Sequence, residues 1–228
     1  MNIKQLREQH PRAFDAAYTT WREGEGDPVY DWYDATIEGI VEDAKERGFH
    51  IGVRSHDRNR PAFFFSGFSS QGDGASWEGN VLIPQWLEWM KREGKGTSFT
   101  DQQLLFMHEA WRNDYMSTTL DIHTVGNYSH SGTMTGVESS IELDEGYAHE
   151  VREGIFKGMD AETFVNLARD TFSMEDLERE VFGAACAFAD DAYRTLEKEF
   201  EYLTSEEYFI ESMEDRVFDE EGNETEAA

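Results

Sequence analysis

The fold class is decided by residues 173–203, which read SMEDLEREVFGAACAFADDAYRTLEKEFEYL. Apolar side chains recur every three or four residues from Leu177 to Leu203, and this spacing places them on one face of a helix. Ser173 stands three residues before Asp176, a spacing typical of a helix start capped by a serine side chain. The stretch therefore predicts one helix of about thirty residues, spanning about 45 Å at about 1.5 Å per residue.

Upstream of this helix, helical and β-type patterns follow one another. Strands are predicted at residues 49–54, 61–68, 77–83, 117–125 and 134–143, where apolar and polar residues alternate or aromatic and β-branched residues cluster. Helices are predicted near residues 11–22, 29–47, 84–91 and 100–115, and the chain after Asp144 is predicted to be helical up to its last residues. This order predicts an α+β fold, with helices packed on a small antiparallel sheet and a long acidic C-terminal helix.

No repeat or linker divides the chain, so the sequence predicts a single α+β domain over residues 1–215. Thr204 and Glu207 have the spacing of a capping box, which predicts a short helix that ends at Asp215. Residues 216–228 are predicted to form a polar, acidic tail that frays.

Composition excludes several classes of protein. Hydrophobic residues make up 39% and aromatic residues 14% of the 228 residues, which is too much apolar content for a disordered chain despite a net charge of −28. The single cysteine, Cys186, excludes an internal disulfide and a cysteine-rich zinc motif and favours a reducing compartment. No apolar run approaches the roughly 18 residues of a membrane helix. We therefore expect a cytoplasmic protein without a membrane partner.

Negative charge is concentrated towards the C-terminus. Residues 137–228 hold 28 acidic and 7 basic residues, a net charge of −21, which equals the phosphate charge on about 36 Å of duplex DNA. This balance argues against direct nucleic acid binding and indicates a basic or nucleic-acid-binding protein as the partner, bound by one chain or by a homodimer. The carboxylates expected to bind it are those of Glu197, Glu199, Glu201, Glu206 and Glu207. The alternative is an acidic surface that only keeps the protein soluble.

A glycine-rich loop follows a predicted strand within residues 63–79, FFFSGFSSQGDGASWEG. Gly72, Asp73 and Gly74 form its centre, and such a loop can present backbone N–H groups to an anion. Asp73 is a candidate metal ligand or proton acceptor, although the loop lacks the spacing and the lysine of a P-loop. The alternative is a tight turn in which Asp73 accepts hydrogen bonds from the neighbouring backbone. In both cases we expect Gly72, Gly74 or both to adopt a positive φ.

A second group of polar residues surrounds the next predicted hairpin. Asp121 and His123 project from the same strand face, and His130 returns across a turn that contains Tyr128, so that a carboxylate and two imidazoles can converge on a divalent metal. With Asp73 or Glu78 from the glycine loop, the two histidines become candidate catalytic residues of a hydrolase that uses a metal-bound water. The alternative is the ordinary polar face of a surface strand, in which case no cofactor is expected.

The glycine loop also carries a resemblance to a known family. Its FSGFxSQGDGAS-type motif, with residues 123–134 and the EYLTS of residues 201–205, resembles an uncharacterised family of proteins from bacteriophages and other mobile elements, sometimes labelled antitoxin-like. The resemblance covers most of the chain. It implies a phage or prophage origin and the cytoplasm of a bacterial host, and it assigns no catalytic residue.

Three functions remain open at this point. The leading hypothesis is a phage-encoded acidic inhibitor that binds a host protein of antiviral defence or nucleic acid metabolism, with its acidic surface imitating nucleic acid. The first alternative is a small metal-dependent hydrolase or nucleotide-binding enzyme centred on Asp73, His123 and His130. The second is an antitoxin-like partner whose acidic surface neutralises a basic protein. The charge distribution favours a binding protein over an enzyme.

Overall fold

The computed structural model describes residues 1–23, 33–68, 70, 72–126, 129–136 and 150–225. Within these residues the predicted α+β fold is confirmed. The helices are α1 (Ile3–Gln9), α2 (Pro11–Glu23), α3 (Tyr33–Glu46), α4 (Ile83–Arg92), α5 (Asp101–Arg112), α6 (Ala161–Thr171), α7 (Met174–Leu203) and α8 (Glu206–Ser212). The strands are β1 (Phe49–Ile51), β2 (Phe63–Phe65), β3 (Ala75–Trp77), β4 (Gly79–Leu82), β5 (Thr119–Thr124), β6 (Met134–Gly136), β7 (Val217–Phe218) and β8 (Glu224–Thr225).

The chain forms two compact units, where the sequence predicted one domain over residues 1–215. Unit 1 combines Met1–Thr36 with Arg194–Ala228, and unit 2 is Ile37–Tyr193. Both boundaries fall inside helices, α3 and α7. A helix that continues across a boundary keeps its apolar periodicity, and the sequence therefore carries no linker signal at either point.

Unit 2 contains a four-stranded antiparallel sheet in the order β1-β4-β5-β6 and a separate pair, β2-β3. Val81 of β4 pairs with Phe49 of β1 on one side and with Leu120 of β5 on the other. The predicted strand at residues 77–83 is interrupted at Glu78, whose N–H donates to the Ala62 carbonyl outside the four-stranded sheet. One predicted strand thus supplies residues to two different sheets. The predicted strand at 134–143 is described only as far as residue 136.

The part of α7 that lies in unit 2 packs on this β structure. Phe188 of α7 lies 5.2 Å from Phe49 of β1 between ring centroids, and the Trp77 indole of β3 donates to the Ala185 carbonyl at 3.3 Å. The predicted thirty-residue length of α7 is confirmed. The predicted cap is present as well, because the Ser173 hydroxyl accepts from the backbone N–H of Asp176 at 3.2 Å.

Unit 1 is built on a small aromatic core. Its buried members are Ile3, Leu6, Phe14, Phe209 and Phe218, contributed by α1, α2, α8 and β7. The predicted frayed tail is wrong as far as residue 225, because residues 217–225 form the β7-β8 hairpin. The hairpin is held because Phe218 is buried and its carbonyl accepts from the N-terminal ammonium of Met1 at 2.7 Å.

Two further boundaries differ from prediction. The cap of α8 is Ser205, which accepts from the Tyr208 N–H at 3.1 Å, while the hydroxyl of Thr204 donates to the Phe200 carbonyl of α7. Residues 150–160 form a loop instead of the predicted helix, because Gly154 and Gly158 both adopt a positive φ near +82° and +83°, a conformation outside the right-handed helical region. None of the described helices combines the length and apolar character needed to cross a bilayer.

Candidate functional site

Asp73 is engaged within its own loop. Its Oδ2 accepts from the Ser70 backbone N–H at 2.7 Å and its Oδ1 from the Ser70 hydroxyl at 2.8 Å. The loop ends are joined by Gly74, whose N–H donates to the Ser66 hydroxyl at 3.0 Å and whose carbonyl accepts from the Ser66 N–H at 3.1 Å. This geometry is that of a tight turn closed by an aspartate side chain, which was the alternative interpretation of the loop.

The two glycines of the loop have different surroundings, and neither adopts the positive φ expected from the sequence. A Cβ at Gly74 would lie 3.0 Å from the Cβ and 3.2 Å from the Cα of His130, whereas a Cβ at Gly72 would meet nothing within 4 Å. Gly74 is therefore packed closely against His130, and its backbone conformation is one that other residues adopt. The structure thus brings the glycine loop against the segment that carries His130, and these are the two regions from which the hydrolase alternative drew its residues.

The His130 ring is occupied in capping a short 3-10 turn, Ser131–Thr133. Its Nδ1 accepts from the Gly132 N–H at 2.8 Å, and its backbone carbonyl accepts from the Thr133 hydroxyl at 2.7 Å. Because Nδ1 is the acceptor, the neutral ring carries its proton on Nε2, and neither ring nitrogen has a free lone pair for a metal in this geometry. His130 is therefore a positioning group for its own turn.

Asp121 and His123 lie on β5 and face away from the buried Leu120 and Ile122, as the alternation predicted. The partner of His123 across the β5-β6 ladder is Thr135. Among the described residues, no three His, Cys, Asp or Glu side chains are grouped so that they can hold a metal ion. The structure accordingly does not assemble Asp121, His123 and His130 into the alternative metal site.

Two parts of this prediction lie beyond the described residues. Tyr128, on the turn between the two histidines, is one of them. The other is the continuation of β6 beyond residue 136.

Cys186 is not an activated nucleophile. Its thiol donates to the Ser131 carbonyl at 3.7 Å. Burial, and secondarily the negative charge of Asp190, raises its pKa to about 11, so that the thiolate is scarce at neutral pH. The thiol side of α7 is therefore a packing contact for the turn that follows His130.

The acidic residues expected to bind a partner all lie in unit 1. Glu201, Glu206 and Glu207 are exposed, and Glu197 and Glu199 are half-buried. Glu206 is paired with Arg7 at 2.8 Å. Within the described part of the chain, the other four carboxylates take part in no ion pair. The α7–α8 acidic surface is defined here as Glu197, Glu199, Glu201 and Glu207.

Sequence reasoning missed the buried carboxylate of Glu109 in α5, only 2% exposed. Its Oε2 accepts from the Ile155 N–H at 3.0 Å and its Oε1 from Arg112 at 3.0 Å. Asn113 adds to this anchor, since its side-chain oxygen accepts from the N–H groups of residues 152 and 153 at 3.0 Å each. The spacing of Glu109 and Asn113, four residues apart, gives no indication in the sequence that the acid is buried. The group holds the 150–158 loop and has no ligand-binding geometry of its own.

The fold and these sites define an acidic α+β protein of two units. The chain belongs to the family of the domain of unknown function DUF8835, whose match covers residues 32–206. The matched range contains all of unit 2 and, from unit 1, residues 32–36 and the stretch from Arg194 to the first residue of α8. No curated protein and no solved structure matches the chain.

Proposed function

We propose that this protein acts by binding, as a phage-encoded inhibitor whose acidic surface engages a basic, nucleic-acid-handling protein of the host in place of nucleic acid. The observation that carries the proposal is the α7–α8 acidic surface: four carboxylates on adjoining helices of unit 1, exposed or half-buried and without an ion pair among the described residues. Glu197 and Glu201 are four residues apart on α7 and share a helix face, and like charges at this spacing destabilise the folded protein. A partner with cations at matching positions relieves this repulsion.

The internal ion pairs of unit 1 support this interpretation. Three of its cations are committed to acids of the C-terminal part: Lys4 pairs with Glu214 at 2.8 Å, Arg7 with Glu206 at 2.8 Å, and Arg216 with Glu224 at 2.5 Å. The first two pairs link α1 to α8 and the residues after it, and the third lies across the β7-β8 hairpin. They leave the α7–α8 acidic surface to an external cation.

We expect two properties from a surface of this charge. Association with a basic partner is steered by charge, so that its rate and affinity fall as salt screens the surface over a Debye length of about 8–10 Å. The same charge repels the phosphate backbone, so that the protein itself does not retain DNA in a gel shift at physiological salt. A robust shift would contradict the proposal.

The proposal is tested with a matched pair of charge variants. In the surface variant, Glu197, Glu199, Glu201 and Glu207 are replaced by Gln. In the control variant, four exposed acids of unit 2 are replaced by Gln, namely Glu38, Glu42, Glu46 and Glu88. Both variants change the net charge by the same amount, so any difference between them reports the position of the charge and not its total.

Each protein is immobilised and exposed to a lysate of the host cell, and retained proteins are identified by mass spectrometry over a salt series. We expect the wild type and the control variant to retain a basic protein that duplex DNA competes off, and the surface variant to lose it. A retained basic toxin that DNA does not displace would favour the antitoxin-like alternative. Equal retention by all three proteins, independent of salt, would overturn the proposal.

A further inference from the structure

Unit 1 contains a cavity of about 380 Å³, within the size range of ligand pockets in proteins. We call it the unit 1 pocket. It lies between α2, α8 and the β7-β8 hairpin. Its floor is formed by Phe209 and Phe218, and its walls include Trp21 and Met213. All of these residues lie outside the range matched by the family.

The pocket exists because α2 presents small side chains to it. Ala16 and Ala17 line the cavity on the α2 side, and Ala16 is exposed at its edge. Larger residues at these positions would fill the space, as core packing elsewhere in unit 1 does.

The walls of the pocket are fixed by contacts within unit 1. The Trp21 ring lies 5.1 Å from Phe209 and 6.0 Å from Tyr18 between centroids. On the opposite side, the Asp219 carboxylate accepts from the N–H groups of Glu221 and Asn223 at 2.9 Å each. The Asn223 side chain also donates to the Asp219 carboxylate. This bond first, and then the backbone bonds, lower the pKa of Asp219, and together they fix the hairpin turn. A pocket with fixed walls loses little entropy on binding.

The rim of the pocket is acidic. Glu221 and Glu224 are exposed and line it. Glu224 already pairs with Arg216, whereas Glu221 takes part in no ion pair among the described residues. Residues 206–225 hold nine acids and one base, so the potential around the opening is negative. A cation at the rim also gains from the indole face of Trp21.

We infer that the unit 1 pocket takes an apolar side chain flanked by arginine or lysine residues, and that it is the anchoring site for the basic partner. The apolar side chain displaces water from the aromatic floor, and the flanking cations bind Glu221 at the rim. Charge complementarity selects this occupant, because an acidic or uncharged apolar ligand gains nothing at the rim. That the occupant belongs to a protein partner rests on the proposed function. The preference of the pocket for an apolar side chain with flanking cations is argued from its lining residues and does not depend on that function.

The test uses the full chain labelled with fluorotryptophan, with the Trp21 signal assigned by Trp21→Phe and followed by fluorine NMR. The probes are three blocked pentapeptides: Arg-Arg-Leu-Arg-Arg, Arg-Arg-Ser-Arg-Arg and Glu-Glu-Leu-Glu-Glu. We expect only the first to shift the Trp21 signal saturably. Ala16→Phe, which fills the cavity from an exposed position, abolishes the shift. Glu221→Gln weakens binding about threefold at low salt, and Glu220→Gln, the neighbouring exposed control, leaves it unchanged.

Two results would overturn the inference. One is an equal shift with the serine peptide, which would mean association by charge alone. The other is unchanged binding by an Ala16→Phe variant that folds like the wild type. The two proposals can fail separately. If the peptide binds but the surface variant still retains every lysate protein, the proposed function is contradicted and the pocket assignment stands. Loss of lysate binding in the surface variant, with no peptide binding, would remove the pocket and keep the function.

Discussion

The carboxylate of Glu109 occupies the position where a side chain at Gly154 would begin. The two residues lie on α5 and on the 150–158 loop, and the contact is possible only because Gly154 has no Cβ. Glu109 also accepts from the N–H of Ile155, the next residue in the loop, at 3.0 Å. A buried acid and a glycine thus depend on each other, and this dependence can be measured.

Gly154→Ala is expected to destabilise the protein by more than Gly158→Ala. Both glycines have almost the same φ, +82° and +83°, so both substitutions carry the cost of a left-handed alanine, about 1–2 kcal/mol. Only Gly154 has Glu109 in the way, since a Cβ at Gly158 meets nothing within 4 Å. Urea unfolding of both variants measures the difference. In the double variant Glu109→Ala/Gly154→Ala the two losses should be less than additive. Strict additivity would contradict the contact.

Gly74→Val is expected to destabilise the protein by about 1–3 kcal/mol because it overpacks against the backbone and Cβ of His130. Gly72→Val is the matched control: no atom lies within 4 Å of the added Cβ and its φ is not positive, so its effect should stay within about 0.5 kcal/mol. Thermal or urea unfolding measures the loss of stability in each of the two variants. Equal destabilisation would mean that the loop needs glycine for its backbone conformation after all.

Asp73→Asn is expected to keep most of the free energy of unfolding, because the amide oxygen still accepts one hydrogen bond from Ser70. Loss of the second hydrogen bond from Ser70 should cost about 0.5–1.5 kcal/mol. Asp73→Ala, which removes both acceptors, should cost more. Retention of the lysate partner should be unchanged in Asp73→Asn. A variant that keeps its stability but loses its biological activity would make the loop a site and revive the hydrolase alternative.

Cys186 is expected to react with iodoacetamide about 100-fold more slowly at pH 8 than a thiol with the ordinary pKa of 9.0, because burial raises its pKa to about 11. The rate should rise with pH through the region of that raised pKa, since deprotonation produces the reactive thiolate. The urea-unfolded protein is the control and should react at the ordinary rate. Rapid labelling of the folded protein at pH 8 would contradict the packing contact with Ser131.

Features that depend on local periodicity were predictable from the sequence. The length of α7 and its cap at Ser173 follow from residues within one segment, because helical spacing and caps are decided over a few residues. The antiparallel pairing of β5 with β6 was predictable for the same reason, since the two strands are neighbours in sequence. Their alternation also placed Asp121 and His123 on the face opposite the core.

Choices between equally good local solutions were not predictable. Thr204 and Ser205 are adjacent hydroxyl residues, and the cap of α8 is Ser205 because the Thr204 hydroxyl is already committed to the end of α7. The hairpin at residues 217–225 has a polar sequence and exists because Phe218 enters the core of unit 1 beside Met1.

The sequence by itself determined the α+β class, the long acidic helix and the concentration of negative charge, because each is a sum over residues or a pattern with a fixed period. Only the tertiary structure decided that Gly74 lies against His130, that Glu109 is buried beside Gly154, and that small residues of α2 leave the unit 1 pocket open. Each of these relations joins residues far apart in the chain. They arise from shape complementarity between elements, for which one sequence without its fold contains no local signal.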